Sequence, residues 1–344
     1  MAAYFIRRLL LMIPTFLGIT LLVFTLTRFV PGGPVERMLS EANAMTREGG
    51  GGGGMSSASN IAGTALSEAQ INELKEYYGF DKPIVVSYFL WLTKVLSLDL
   101  GSSSRYGEPV WDMIKNRFPI STYYGLLSLI LTYSICIPLG MVKAVRHNTS
   151  VDHVSSILIF IGYAVPGFVF GIFLLVTFAA NLDWFPLGGF VSDSFDDFSL
   201  WEKIIDVVKH SILPLCAYML GSFAVMTMTM KNSLLENLAA DYVRTAIAKG
   251  VPFKKAVLGH AMRNSLIPIV THIGSNISLI LTGSFLIEKI FNIDGFGLLG
   301  LESIVERDYP VVMGILAISS LLYLAGNIIS DFCVALVDPR IKFD

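Results

Sequence analysis

The chain has 344 residues, of which 53% are hydrophobic and only 15% charged, with a mean hydropathy of +0.64. That balance lies outside the range of a soluble domain and places the chain in lipid. A formal net charge of −2 without any basic tract gives no electrostatic footprint for nucleic acid, which is excluded as a partner.

A bilayer core about 30 Å thick is crossed by roughly 20 mostly apolar helical residues. Six such runs predict an all-α integral membrane protein with six transmembrane helices: Leu9 to Val30, Ile120 to Val142, Val154 to Ala180, Ile212 to Met230, Ile267 to Glu288, and Pro310 to Val337. Residues 1–30 hold a short tail and the first span. Arg7 and Arg8 precede it as in a secretory signal, but the apolar stretch is too long for one, and Arg28 to Pro34 lacks a small-x-small cleavage pattern. It is read as a retained span.

Residues 31–119 form a large segment between spans one and two. Within it Glu41 to Ala65 is rich in Gly, Ser and Ala and reads as a flexible tip. A helix is predicted over Glu68 to Tyr78, capped by Ser67 and stopped by Gly79, and a second, amphipathic one over Ile84 to Leu98. Residues 120–337 carry the five remaining spans and a cytoplasmic loop at 231–266, and 338–344 form a tail. Pro138, Pro166 with Gly167, and Pro214 are predicted kinks, because neighbouring helices can satisfy the backbone groups that proline frees.

Twelve Lys and Arg residues fall in the tails and short loops of one side, Lys143, Arg146, Lys231 and Arg263 among them. Four fall on the other: Lys203, Lys209, Lys289 and Arg307. The positive-inside bias makes the first side cytoplasmic, both termini included, and the segment at 31–119 external.

The chain shows little chemistry of its own. Cys136, Cys216 and Cys333 lie inside spans and read as packing residues. Gly49 to Gly54 begins a phosphate-binding pattern, but Met55 and Ser56 stand where Lys and Ser/Thr are needed. Gly295 to Gly300 spells G-x-G-x-x-G without a preceding strand, so it reads as a tight turn packed close to a helix. His147, His153, His210, His260 and His272 are scattered without metal-ligand spacing. Asp331, near the cytoplasmic end of the last span, reads as a helix-end contact with Asn327, Arg340 or a neighbouring basic group. No titratable pair suits a membrane enzyme. Nor is there an evident inverted repeat or midplane ionisable set, as expected of a secondary transporter.

The loop at 231–266 is patterned as two helical halves. The first, about Leu234 to Lys249, mixes Ala239, Ala240, Ala246 and Ala248 with Asp241, Arg244 and Lys249, and Gly250 ends it. The second opens with Pro252 and carries Phe253, Ala256, Val257 and Met262 among basic residues. Such a helix suits a groove on a cytoplasmic partner, although an amphipathic loop resting on anionic lipid has similar composition.

Asp241-Tyr-Val-Arg-Thr-Ala-Ile-Ala-Lys-Gly250, followed by His260-Ala-Met-Arg-Asn-Ser-Leu-Ile-Pro268, resembles the permease-to-ATPase coupling loop of binding-protein-dependent ABC importers. Arg244-Thr245-Ala246 replaces the family's Glu-Ala-Ala, as is typical of its oligopeptide, dipeptide and nickel branch, so the glutamate's role does not pass to Arg244. Ile6 to Leu10, Val30 to Pro34, Tyr163 to Phe168, Arg307 to Val311 and Val337 to Ile341 resemble the same branch. Gly32-Gly-Pro34 together with the Val337 to Asp344 tail is similar to its YejB group, linked to oligopeptides and microcin C.

The resemblance implies a type I ABC importer permease fold in a bacterial inner membrane and oligopeptide import by alternating access, with dipeptide or nickel as the alternative cargo. Implied partners are a second homologous permease, two ATPase domains, a periplasmic peptide-binding protein and lipid. No cofactor is expected in this chain, ATP and Mg being held by the ATPase. The coupling residues are Asp241, Tyr242, Arg244, Thr245, Ala246, Lys249 and Gly250. Ser222, Met226, Thr229, Ser275, Asn276, Ser278 and Asn327 are candidate pathway-lining positions, as small or polar residues on inner spans, with Met219, Met226, Met228 and Met230 a possible adaptable lining.

Overall fold

The computed structural model describes residues 2–29 and 81–337. The predicted Ser67 to Gly79 helix, the Glu41 to Ala65 tip with its glycine tract, and the tail at 338–344 lie outside them. In chain order the helices are α1 (Ala2–Phe29), α2 (Ile84–Leu96), α3 (Val110–Val145), α4 (Ser150–Ala164), α5 (Gly167–Leu174, running into a π-helical stretch Leu175–Asn181) and α6 (Leu200–Ala239). There follow α7 (Asp241–Ala248), α8 (Phe253–Ala256), a π turn Val257–Ala261, α9 (Met262–Ser265), α10 (Ile267–Thr282), α11 (Phe285–Ile290), α12 (Phe296–Val305) and α13 (Tyr309–Val337). Among the described residues there is no strand, only one isolated bridge between Ser102 and Pro109.

Among the described residues four helices are long and apolar enough to cross a bilayer: Tyr4–Phe29, Val110–Val145, Leu200–Ala239 and Tyr309–Leu336. Two of them far exceed their predicted spans. With 36 and 40 residues, α3 and α6 are about 54 and 60 Å long at 1.5 Å per residue, well beyond a core of about 30 Å.

The predicted third span is a broken one. Ser150–Ala164 and Gly167–Asn181 meet at 94°, and together they count as one span at most. The cause is local: Val165, before proline, adopts φ −93°, ψ 122°, and Pro166 follows at φ −56°, ψ 137°. Pro119, Pro138 and Pro214, by contrast, are carried inside helices. The predicted fifth span also stops early. With 16 residues, α10 is about 24 Å long, and the chain then turns at Gly283, φ +71°, before α11.

The described parts of Met1–Met12, Asn116–Leu299 and Ser319–Asp344 form one compact unit, and those of Ile13–Lys115 and Gly300–Ile318 form another. In the first, one apolar cluster joins Cys136 and Ala144 of α3, Met226, Met230 and Leu234 of α6, Val243 of α7 and Val257 and Ala261 of the π turn. Close approach of α3 and α6 needs Gly140, where a Cβ would lie 2.7 Å from the Met230 Cβ. At its other end Tyr124, Leu213, Ala217, Phe291 and Ile293 form a second cluster. Ser199 caps α6 in a reciprocal box with Glu202. Asp331 pairs with Arg8 and accepts a hydrogen bond from Tyr4, so its partner is the basic group at the start of the chain.

In the second unit Thr20 and Phe24 of α1 pack on Tyr88 of α2, with the two hydroxyls 2.9 Å apart. Buried Asp308 holds the turn at 103–106 by accepting from the Ser103 hydroxyl at 2.5 Å and the Ser104 amide at 3.1 Å. Arg105 pairs with Glu306 alongside.

Candidate functional site

The loop after α6 is a built body. At Ala240 the backbone turns extended, φ −72°, ψ 146°, which separates α6 from α7, so the first predicted half divides there. Gly250, at φ +88°, ends α7: its amide donates to the Ile247 carbonyl at 2.9 Å and the Val251 amide to the Ala246 carbonyl at 3.1 Å. That is a Schellman cap, in which the left-handed residue is favoured as glycine. The Ser265 hydroxyl donates to the Ser233 carbonyl at 3.3 Å, Asn264 donates to the Tyr242 hydroxyl at 3.1 Å, and that hydroxyl donates to Asn237 at 2.6 Å. The loop is thereby fastened to the end of α6.

Only Val243 of α7 is buried. Of the predicted coupling residues, Asp241, Tyr242, Arg244, Thr245, Lys249 and Gly250 are exposed and Ala246 is half-buried. Apolar Tyr242, Ile247, Phe253 and Leu258 are also exposed on this charged loop. One buried side chain anchors α7 and nearly all of the rest is presented outward.

Directly behind the loop lies a buried charge cluster that the sequence did not reveal. Lys143 of α3 and Lys231 of α6, 0% and 8% exposed, close on Asp152 of α4, itself 2% exposed. Lys231 Nζ lies 2.7 Å from one carboxylate oxygen and 2.8 Å from the other. Lys143 Nζ is 3.2 Å from the carboxylate and donates to Ser155 Oγ, Ser156 Oγ and the Asp152 carbonyl at 2.8, 2.7 and 3.0 Å. His147 Nδ1 at 3.3 Å and the Asn148 amide at 3.2 Å complete the shell. Both lysines were legible only as topological markers; their meeting puts these ends of α3, α4 and α6 on one side.

The predicted pathway positions separate. A cavity of about 340 Å³ is lined by Ser128, Thr132 and Tyr133 of α3, Tyr218 and Ser222 of α6 and Asn276 of α10 together with apolar Leu129, Phe285 and Ile287, and among the described residues of its wall none is charged. Asn276 donates to the Tyr133 hydroxyl at 3.0 Å. Met226 is instead 3% exposed within the α3–α6 core, as Met230 is at 0%, so these two methionines pack between helices. Thr229 is half-buried outside the cavity wall, and Asn327 is half-buried on α13, its carbonyl accepting from Arg8 at 3.3 Å. The side chains of Ser275 and Ser278 lie outside the described residues.

Next to the cavity-lining Ile287 stands Glu288, which is 0% exposed. Its carboxylate accepts from the Ser121 hydroxyl at 2.8 Å, the Tyr218 hydroxyl at 3.3 Å and the Leu298 amide at 2.7 Å. It therefore sits on the N-terminal turn of α12, where negative charge is favoured. Gly283 and Gly295 make room for it; a Cβ at Gly295 would stand 2.5 Å from the carboxylate carbon. The G-x-G-x-x-G segment is thus a close turn leading into a helix, with Gly295 required by the carboxylate.

The family model of the binding-protein-dependent transport system inner membrane component matches residues 136–343. The chain belongs to this family. Its fold is the helical type I ABC permease fold, and it is a multi-pass inner-membrane component of a transport system that works with a binding protein; it is a transport component and not an enzyme. Over 100% of its length the permease is 42% identical to the peptidoglycan transport system permease protein YejB of Agrobacterium fabrum, covering 99% of that protein. It is 41% identical to the inner membrane ABC transporter permease protein YejB of Escherichia coli O157:H7 and 36% identical to the oligopeptide transport system permease protein AppB of Bacillus subtilis, each covered over 100% of both chains. The resemblance to the YejB group and the wider peptide branch holds across the whole permease.

Proposed function

We propose that this permease moves oligopeptides, microcin C-like peptides among them, from periplasm to cytoplasm by alternating access. It pairs with a second, homologous permease in a membrane of six spans per subunit, the broken α4–α5 pair serving as one and α10–α11 as another. Both termini and the loop at 231–266 face the cytoplasm. Two ATPase domains hold ATP and Mg and dock on α7, and a periplasmic binding protein delivers the peptide.

The observation that carries this reading is α7 itself, held by buried Val243 and by the Tyr242 hydroxyl, with Tyr242 and Ile247 exposed among charged residues. Apolar side chains exposed on a charged, well-fastened loop are the signature of a partner's groove. The cavity supports the cargo: hydroxyl and amide groups without any charge suit peptide backbone, which is common to all peptides, more than any one side chain. The names of the relatives, oligopeptide and peptidoglycan transport permeases, agree with a peptide-like cargo.

The test is affinity purification from mild detergent followed by hydrolysis and uptake assays. The tagged permease should bring down an ATPase subunit, and a peptide-loaded binding protein should stimulate hydrolysis and drive uptake into proteoliposomes. A permease that never recovers an ATPase, or a complex stimulated by nickel and not by peptide, overturns the proposal.

A further inference from the structure

The chemistry of α4 is lopsided. Of its 15 residues only Asp152 and Ile159 are buried, while Val154, Ile157, Leu158, Phe160 and Ile161 are exposed. Along its length α4 packs on α6, where a Cβ at Gly162 would come within 3.2 Å of Leu220, beside a cavity of about 320 Å³ lined by Leu139 of α3, Leu158 and Ile159 of α4 and Leu220, Phe223 and Ala224 of α6. At the far end the helix breaks at Val165 and Pro166 and turns through 94°. Apolar packing thus fastens this leg along one narrow face only, and its charged fastening is at the first turn.

That fastening is the Asp152 cluster. Two ammonium groups around one carboxylate, all nearly water-free, cannot be separated cheaply, because each would then be buried without its counterion. The excess positive charge is solvated internally by Ser155, Ser156 and the Asp152 carbonyl, so Lys143 grips the α4 backbone as well as its carboxylate. The two lysines belong to the platform beneath the loop. Lys143 precedes Ala144, and Lys231 lies between Met230 and Leu234; these three neighbours share one core with Val243, Val257 and Ala261 of the loop.

We infer that Asp152 is a positioning residue for transport, the rivet that makes α4 move as one body with the loop at 231–266. A displacement imposed on α7 passes to α3 and α6 through the apolar core. It passes to α4 through the carboxylate as well as through the narrow α4–α6 contact, and the break at Pro166 is where the moving leg can hinge. This inference rests on the reading of α7 as the ATPase dock.

The experiment uses the assembled transporter in proteoliposomes, with spin labels at Val154 on α4 and His260 on the loop, both exposed in the permease. With Asp152 in place the label distance should stay single and unchanged when ATP is added. In Asp152→Asn it should broaden or split with ATP, and peptide moved per ATP hydrolysed should fall at least about fivefold, the lower end of ordinary coupling energies, while hydrolysis persists. An unchanged distance with unchanged transport per ATP overturns the inference. If Asp152→Asn does not assemble, Asp152→Glu, which keeps the charge and displaces it by one methylene, is read in the same way. Failure of the parent chain to recover an ATPase would instead overturn the docking reading, so the two failures are told apart.

Discussion

Gly250 offers a graded test of how the loop is built, because its substitution cost is purely conformational. An added Cβ there meets nothing within 4 Å, yet the backbone sits at φ +88°. A left-handed conformation costs an ordinary L-residue about 1–2 kcal/mol, asparagine less, and a β-branched residue more. Leaving it breaks the hydrogen bonds that the Gly250 and Val251 amides donate to the Ile247 and Ala246 carbonyls and draws Val251 off the apolar cluster beneath the loop. A loss of one or two kcal/mol shifts a local equilibrium by roughly 5- to 30-fold. Peptide-stimulated hydrolysis and uptake should therefore fall in the order Gly, Gly250→Asn, Gly250→Ala, Gly250→Val, with the protein still present in the membrane. Amide exchange at Val251 should accelerate by a similar factor in the alanine variant. Full activity in Gly250→Val, or Gly250→Asn behaving no better than Gly250→Val, would refute the argument that the left-handed turn holds α7 in place.

Three further outcomes are expected elsewhere. Glu288→Ala leaves the Ser121, Tyr218 and Leu298 donors facing a void; at about 1–3 kcal/mol for each donor left unsatisfied, thermal unfolding in detergent should drop sharply, and Glu288→Gln should restore part of the loss. Gly140→Val forces a Cβ to 2.7 Å from the Met230 Cβ and 2.8 Å from the Thr227 carbonyl, an overpacking cost of about 1–3 kcal/mol that lowered yield and a lowered Tm would register. Asp308→Ala frees the Ser103 hydroxyl and Ser104 amide; limited proteolysis should then cut at residues 103–106, and a resistant variant would count against Asp308 as the clamp.

What the sequence made legible about the fold was the apolar middle of each helix, because lipid admits few alternatives there. Helix ends were harder, since polarity interrupts a span without interrupting a helix. Asp112, Lys115, Asn116 and Arg117 hid the first turns of α3, which begins at Val110 and not at Ile120. The Ser199 and Glu202 capping box marks the true start of α6 and was readable from its S-x-x-E spacing. Of four prolines of one chemistry, Pro119, Pro138 and Pro214 sit in two continuous helices and Pro166 marks one right-angled break. The difference lies in tertiary approach: at Gly167 a Cβ would come within 2.9 Å of the Ala217 carbonyl, so α5 leaves the break pressed against α6.

The functional features divide along the same physical line. The loop could be read locally because its decisive rules, a glycine ending α7 and a proline opening the second half, act over a few residues. The Asp152 rivet could not, since Lys231 stands 79 positions away, nor could the Glu288 seat, whose Ser121 is 167 positions away. Met226 shows the remaining blindness. On a helix apolar around its whole circumference the 3.6-residue period carries no contrast, so nothing in the residue pattern tells a methionine facing a cavity from one packed in the core, as Met226 is. Charge counting shares this blindness: it asks only which side a lysine is on and is indifferent to burial, so it gave no sign that Lys143 and Lys231 hold α4 in the fold.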